Sequence, residues 1–241
     1  MKYNEIIESI NNKKYFNLYF LAGDENYYID KISNYISKNV LNDEEKAFNQ
    51  VILYGKETNI KDVILEAKQY PFGAINRVVI IKEAQQLRNL EKIDEYLDNP
   101  LDSTILVICY KKKIDKRKSY VKKITKQNQL FESNKLYENQ VSSWLNTYCK
   151  EHNIQITNES CEILVQHLGI DLTKITNEID KLLLNLESGN QITPDLIEKH
   201  IGISKEFNIF ELQNSLGKKD ILQTNKIAKY LSANPKTIRL F

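Results

Sequence analysis

Hydrophobic positions follow two rhythms along this chain. Up to about residue 135, short and nearly unbroken apolar runs alternate with segments whose apolar residues recur every three or four positions. The runs are residues 15–22 (YFNLYFLA), 49–54 (NQVILY), 77–82 (RVVIIK), 103–109 (STILVIC) and 129–132 (QLFE). A short run without polar alternation fits a strand covered on both faces, as in a parallel sheet. Gly23 ends the first run, and the β-branched 77–82 has the character of a central strand. Between the runs, Ile29, Ile32, Ile36 and Val40 keep helical spacing, with Asp24 and Glu25 at the helix start, where the backbone dipole favours carboxylates. Residues 60–69 predict a helix with Val63, Ile64 and Ala67 inward, and 86–97 and the basic 118–127 predict two more. Strands alternating with helices of ordinary length predict a parallel, helix-flanked α/β domain.

From about residue 138 only the helical period remains. Val141, Trp144, Leu145 and Tyr148 lie at i, i+3, i+4 and i+7, and Cys161, Leu164, Val165 and Leu168 repeat that spacing. Leu172, Ile175, Ile179, Leu182, Leu183 and Leu186 form a third stripe. Thr157 and Thr193-Pro194-Asp195 read as helix starts. The expected organisation is an α/β domain over 1–137, a small helical domain over 138–203, and over 204–241 the start of a further helical domain that the chain leaves unfinished.

An α/β domain followed by a small helical one is the layout of the AAA+ ATPases, whose glycine-rich first turn cradles phosphates. The matching turn here, Gly23-Asp24-Glu25-Asn26-Tyr27-Tyr28-Ile29, has one glycine, no lysine and no hydroxyl placed for magnesium. The strand that should end in Asp-Glu reads Val79-Ile80-Ile81-Lys82-Glu83. A lone glutamate beside a lysine cannot organise metal and water. The pattern predicts a scaffold that keeps the fold without the chemistry, and no cofactor.

Two other segments carry candidate chemistry. Tyr70-Pro71-Phe72-Gly73 must leave the preceding helix, since Pro71 blocks its continuation and Gly73 permits a turn. An aromatic at such a tip either folds back as core or stands exposed as an interface anchor. The run 111–126 holds nine basic residues (Lys111, Lys112, Lys113, Lys116, Arg117, Lys118, Lys122, Lys123 and Lys126) against Asp115. With a net charge of only +2 overall, the rest of the chain is acidic and the basic character is local. A solvated helix face and a contact to DNA phosphates or a neighbouring subunit both fit that run.

The remaining composition excludes more than it assigns. A hydrophobic fraction of 41% is normal for a chain that buries a core. Cys109, Cys149 and Cys161 are scattered in apolar patterns and read as buried thiols, not as a disulfide framework or zinc site. His152, His167 and His200 are isolated, so a metal role is not expected. No signal arrangement opens the chain and no apolar stretch is long enough to span a bilayer, so the expectation is a soluble, cytoplasmic protein with no membrane partner.

Five segments, in order, are similar to the delta subunit of the bacterial DNA polymerase III clamp loader, an AAA+-like family without a functional Walker motif. YFLAGDENYYIDKI resembles the family's first strand, turn and helix, and QYPFGAINRVVIIKEA its clamp-contacting segment and next strand. STILVICYKKKIDKRKSYVKKI resembles its strand-then-basic pattern. WLNTYCKEHNIQITNESCEILVQHLGIDLTKITNEIDKLLL resembles the helical lid domain, and NIFELQNSLGKKD the start of the collar domain. The resemblance implies that a hydrophobic pair at a helix end contacts the clamp. That pair falls on Pro71 and Phe72, with Tyr70 and Ile75 as supporting neighbours. The family pair is usually leucine and phenylalanine, so Pro71 is a departure. The implied partners are the ring-shaped beta sliding clamp, the other loader subunits (gamma/tau and delta prime) and, through the loader, primed DNA. The implied role is opening the clamp in DNA replication, with ATP bound by other subunits and no catalysis by this chain. An active AAA+ ATPase and a DNA-binding regulator are the alternatives. The degenerate turn weighs against the first. The lack of a helix-turn-helix spacing with a basic second helix weighs against the second.

Overall fold

The computed structural model describes residues 1–184, 191–202, 207 and 209–233. These residues form two compact units, Met1–Lys135 and Leu136–Phe241. The first holds helix α1 (Tyr3–Asn11), strand β1 (Leu18–Gly23), α2 (Asn26–Asn39), α3 (Asp43–Asn49), β2 (Gln50–Tyr54), α4 (Ile60–Ala67) and β3 (Arg77–Lys82). It continues with α5 (Asp94–Leu97), β4 (Thr104–Tyr110), α6 (Ser119–Lys126) and β5 (Leu130–Ser133). The five strands are all parallel, in the order β2-β3-β4-β1-β5.

Side-chain alternation along the strands sorts the core into two layers. Phe20, Val79, Ile81, Leu106 and Ile108 face Ile60, Val63 and Ala67 of α4 and Tyr120, Val121 and Ile124 of α6. Tyr19, Leu21, Val78, Ile80, Ile105, Val107 and Cys109 face Ile6 and Ile10 of α1 and Ile29, Ile32 and Ile36 of α2. Both faces of the central strands are covered, which is why they read as continuous apolar runs, while edge strand β2 leaves Ile52 and Tyr54 exposed. The expected stripes of α2 and α4 are the buried ones, with Val40 and Ile64 half-buried at their margins.

The helix predicted over 86–97 is not continuous. Ala84–Gln86 and Leu90–Ile93 are short 3-10 turns, and only Asp94–Leu97 is α-helical. Glu83 and Asn89 precede the two turns in left-handed conformation, at φ 53° and φ 59°. Such residues interrupt a right-handed helix, while Leu87, Leu90, Ile93 and Leu97 still reach the core. The first strand starts at Leu18, later than the apolar run suggests, and Tyr15 and Phe16 pack partly buried beside it.

The second unit is helical: α7 (Glu138–Glu151), α8 (Asn158–Leu168), α9 (Leu172–Leu183), α10 (Pro194–Ile201), α11 (Ile209–Gly217) and α12 (Ile221–Ala233). Two-residue strands β6 (Gln155–Ile156) and β7 (Gln191–Ile192) pair in parallel. Thr157 caps α8 by accepting from the Ser160 N–H at 3.1 Å, and Pro194 opens α10. Val141, Leu145, Cys161, Leu164, Ile175, Ile179 and Leu182 are buried, as their spacing predicts. Leu186 and the boundary expected at 204 lie outside the described residues, as does the end of the chain from 234.

Candidate functional site

The C-terminal edge of a parallel sheet is where α/β proteins usually hold ligands. In this chain that edge is filled by its own polar groups. Gly23 sits at φ 144°, and a Cβ there would lie 1.8 Å from the Ser133 carbonyl oxygen. The glycine is therefore required by the close approach of β5, with no phosphate needed to explain it. The N–H groups that might face a phosphate are engaged. Gly23 N–H donates to the Lys112 carbonyl at 3.1 Å, Glu25 N–H to the Ser133 carbonyl at 3.2 Å, and Tyr27 N–H to the Glu25 carboxylate at 3.0 Å. Ser133 Oγ returns a bond to the Glu25 carbonyl at 2.7 Å.

The end of β3 is closed in the same way. Lys82 Nζ donates to Ser33 Oγ at 2.7 Å and Asn34 Oδ1 at 3.1 Å. Lys111 Nζ lies 2.9 Å from Asp30 and 3.2 Å from Glu83. Burial lowers the Lys111 pKa, but the bonds and charges of Asp30 and Glu83 outweigh it and leave the value raised. Burial likewise lifts Glu83, and the bonds from Gln85 and Lys111 outweigh it and leave its carboxyl lowered. Lys111 and Glu83 thus each hold their charged form through partners inside the chain.

The rest of the basic segment is also largely paired. Lys113 lies 3.5 Å from Asp24, Lys116 2.8 Å from Glu132 and Arg117 3.0 Å from Asp115, while Lys123 pairs with Asp98. Lys118 stands 5.9 Å over the Tyr120 ring. Among the described residues Lys112, Lys118, Lys122 and Lys126 have no ion pair, and all four are exposed. The segment thus presents fewer free charges than its sequence advertises.

The opposite, N-terminal edge carries the apolar tip. The chain leaves α4 at Ala67, passes through Tyr70, Pro71, Phe72 and Gly73, and enters β3 at Arg77. Gly73 adopts φ 65°, the left-handed turn that its lack of a Cβ permits. Tyr70 and Ile75 are exposed, Phe72 is 74% exposed, and Pro71 is half-buried. The four residues lie on one loop, and Phe72 does not fold back into the core.

Three residues of this site carry no signal in the local sequence pattern. Asn49, fully buried, accepts from the Phe72 N–H at 2.7 Å and donates to the Phe72 carbonyl at 2.9 Å. Arg77, also buried, donates through Nε to the Glu66 carbonyl and through Nη1 to the Phe48 carbonyl, each at 3.1 Å, and pairs with the Glu66 carboxylate. Phe48 places its ring 5.6 Å from that of Phe72. A buried Asn or Arg in an apolar segment signals a buried polar partner, but its identity depends on contacts 23 and 29 residues away.

No metal-binding group of three or more His, Cys, Asp or Glu side chains is formed among the described residues, and no described helix is long and apolar enough to cross a membrane.

Comparison with known proteins follows the first unit. Residues 19–134 match the family model described as DNA polymerase III, delta subunit. The chain is similar to DNA polymerase III subunit delta of Bacillus subtilis, with 27% identity over 210 residues, covering 83% of this chain and 60% of that protein. It is also similar to the solved structure of the Bacillus subtilis DNA clamp loader delta protein, with a TM-score of 0.71 and 24% identity over 97% of this chain and 72% of that one. The latter likeness is one of fold.

Proposed function

Over residues 19–134 the chain belongs to the DNA polymerase III delta-subunit family, and we propose on that premise that it binds the ring-shaped beta sliding clamp and helps open it for loading on primed DNA. The chain spans 60% of the length of the curated relative it matches. Its activity and partners are therefore read from its own residues together with that premise. The observation that carries the proposal is Phe72, 74% exposed on a loop whose backbone is bonded on both sides to a buried Asn49. A rigid, exposed aromatic is the usual anchor of a protein interface. Tyr70 and Ile75 flank it and Pro71 sets the exit from α4. In this reading the other loader subunits, gamma/tau and delta prime, bind ATP and join the chain through its C-terminal helices, and the assembly works in the cytoplasm.

The closed C-terminal edge weighs against an ATPase role for this chain. The N–H groups of Gly23, Glu25 and Tyr27 are committed within the protein, and Lys82 stands where a magnesium-binding carboxylate would be needed. Contact of Lys112, Lys118, Lys122 and Lys126 with DNA or a neighbouring subunit is an additional part of the proposal, limited to charges that carry no ion pair among the described residues.

A pull-down of this chain against the clamp of the same organism, and in parallel against primed DNA, tests the reading. Retention by the clamp and not by DNA alone is expected. Retention by DNA alone, or saturable micromolar ATP binding by calorimetry, contradicts it.

A further inference from the structure

A loop between a helix and a strand is ordinarily the most mobile part of an α/β unit, because its backbone bonds go mainly to water. The Phe72 backbone is different. One amide side chain supplies both an acceptor and a donor, and Asn49 uses them on the N–H and the carbonyl of the same residue, at 2.7 Å and 2.9 Å. Its amide also donates to the Glu45 carbonyl of α3 at 3.1 Å, so the lock is itself fixed. α3 in turn begins with a reciprocal cap, Glu45 N–H to Asn42 Oδ1 at 2.8 Å and Asn42 N–H to Glu45 at 3.0 Å.

The neighbouring residue is held from the other side. Arg77 Nη1 donates to the Phe48 carbonyl at 3.1 Å. With both backbones fixed, the Phe48 and Phe72 rings meet at a centroid separation of 5.6 Å and a tilt of 53°, within the range of favourable aromatic pairs. Phe48 nevertheless remains 65% exposed and Phe72 74%. Two large aromatic side chains are thus ordered against each other without being covered.

We propose that Phe48 and Phe72 form a single preformed two-ring surface for the clamp, with Phe48 as a contact residue and Asn49 as the positioning residue that holds the pair in register. This rests on the reading that the Tyr70–Ile75 tip binds the clamp. The second hydrophobic side chain of the contact then comes from the end of α3, while Pro71, half-buried, serves the turn. Preorganisation matters because a loop ordered before binding does not have to be ordered during it.

The test has two arms on the intact chain. In the free protein the Phe72 amide should be protected from hydrogen exchange. Asn49→Ala should speed its exchange about 100-fold while the amides of β3 and β4 stay protected. On immobilised clamp, Phe48→Ala should weaken binding about 10-fold, with Phe48→Leu recovering part of the loss and the melting temperature unchanged. Unprotected exchange at Phe72 in the wild type overturns the lock. Equal binding by wild type and Phe48→Ala, while Phe72→Ala binds weakly, overturns the two-ring surface and leaves the underlying reading standing. A wild type that ignores the clamp overturns that reading and this inference together.

Discussion

The two edges of the parallel sheet invert the usual arrangement of an α/β protein. At the C-terminal edge, where ligands normally bind, Glu25 bonds Ser133, Lys111 pairs with Glu83, Gly23 donates to the Lys112 carbonyl and Lys82 donates to Ser33 and Asn34. At the N-terminal edge, normally only structural, Phe48, Tyr70, Phe72 and Ile75 are exposed on a backbone held by buried Asn49 and Arg77. Polar residues gathered at a sheet edge are not by themselves chemistry. The first edge is rich in charge but closed, and the second is poor in charge but open. Polar groups at the end of a sheet that holds no ligand need partners within the chain, since unsatisfied ones would be costly to bury.

The largest expected effect attacks the closed edge. Gly23→Ala forces a Cβ to within 1.8 Å of a backbone oxygen at a φ of 144°. It should destabilise the first unit by roughly 3 kcal/mol or more. Denaturant melts check this, and a near-neutral change would mean that β5 is not packed tightly against the turn.

Next is Lys111→Met, which leaves Asp30 and Glu83 without their cation. The expected loss is about 1–2 kcal/mol, held down because the site is only partly buried. The pH dependence has a definite sign. The raised Lys111 pKa gives stability that is fully present below its unfolded value of 10.5 and lost as pH rises through the folded value. The lowered Glu83 pKa gives stability present above its unfolded value of 4.5 and lost as pH falls through the folded value. The gap between wild type and variant should therefore stay level from about pH 6 to 9 and narrow outside that window.

A finer probe of the same edge is Cys109, fully buried, whose thiol is pushed up to about 11 by burial against the lowering charge of Lys82. It should resist alkylation in the native chain, and Lys111→Met should speed the reaction roughly 5- to 10-fold by easing local opening. Mass spectrometry of the modified chain reads this directly. Rapid alkylation in the wild type would show that the edge is open.

The smallest effect concerns the basic segment. Neutralising Lys112, Lys118, Lys122 and Lys126 together should slow association with an acidic partner about 2- to 5-fold at low salt, with dissociation unchanged. Rates that respond equally to neutralising Lys116 or Lys123 would show that their ion pairs do not hold in solution.

The sequence makes the sheet legible because its central strands are buried on both faces and so lack polar alternation, most clearly in Val78–Ile81 and Ile105–Cys109. The tip is legible from Pro71 and Gly73, which force a turn whatever surrounds them. The 86–97 segment misleads because Leu90, Ile93 and Leu97 keep helical spacing while Asn89 takes a left-handed conformation that no periodicity reveals. Helix α3 escapes notice because it is short and heavily charged and is defined by a cap between Asn42 and Glu45. The basic run looks like an electrostatic surface because its partners Asp24, Asp30, Asp98 and Glu132 lie far away in sequence. Phe48 and Asn49 are illegible for the same reason, since their role depends on a residue 23 positions from Asn49.

The most direct measurement is the kinetics of clamp binding by wild type and Phe72→Ala, read by surface plasmon resonance beside thermal melts of both proteins. Burying the exposed ring in an apolar pocket contributes roughly 2–3 kcal/mol, against less than about 1 kcal/mol for an exposed ion pair. Phe72→Ala should weaken binding at least ~30-fold, mainly through faster dissociation, and leave the melting temperature nearly unchanged. Unchanged affinity, or a collapse of the melting temperature, would contradict the assignment of Phe72 as the anchor on the clamp.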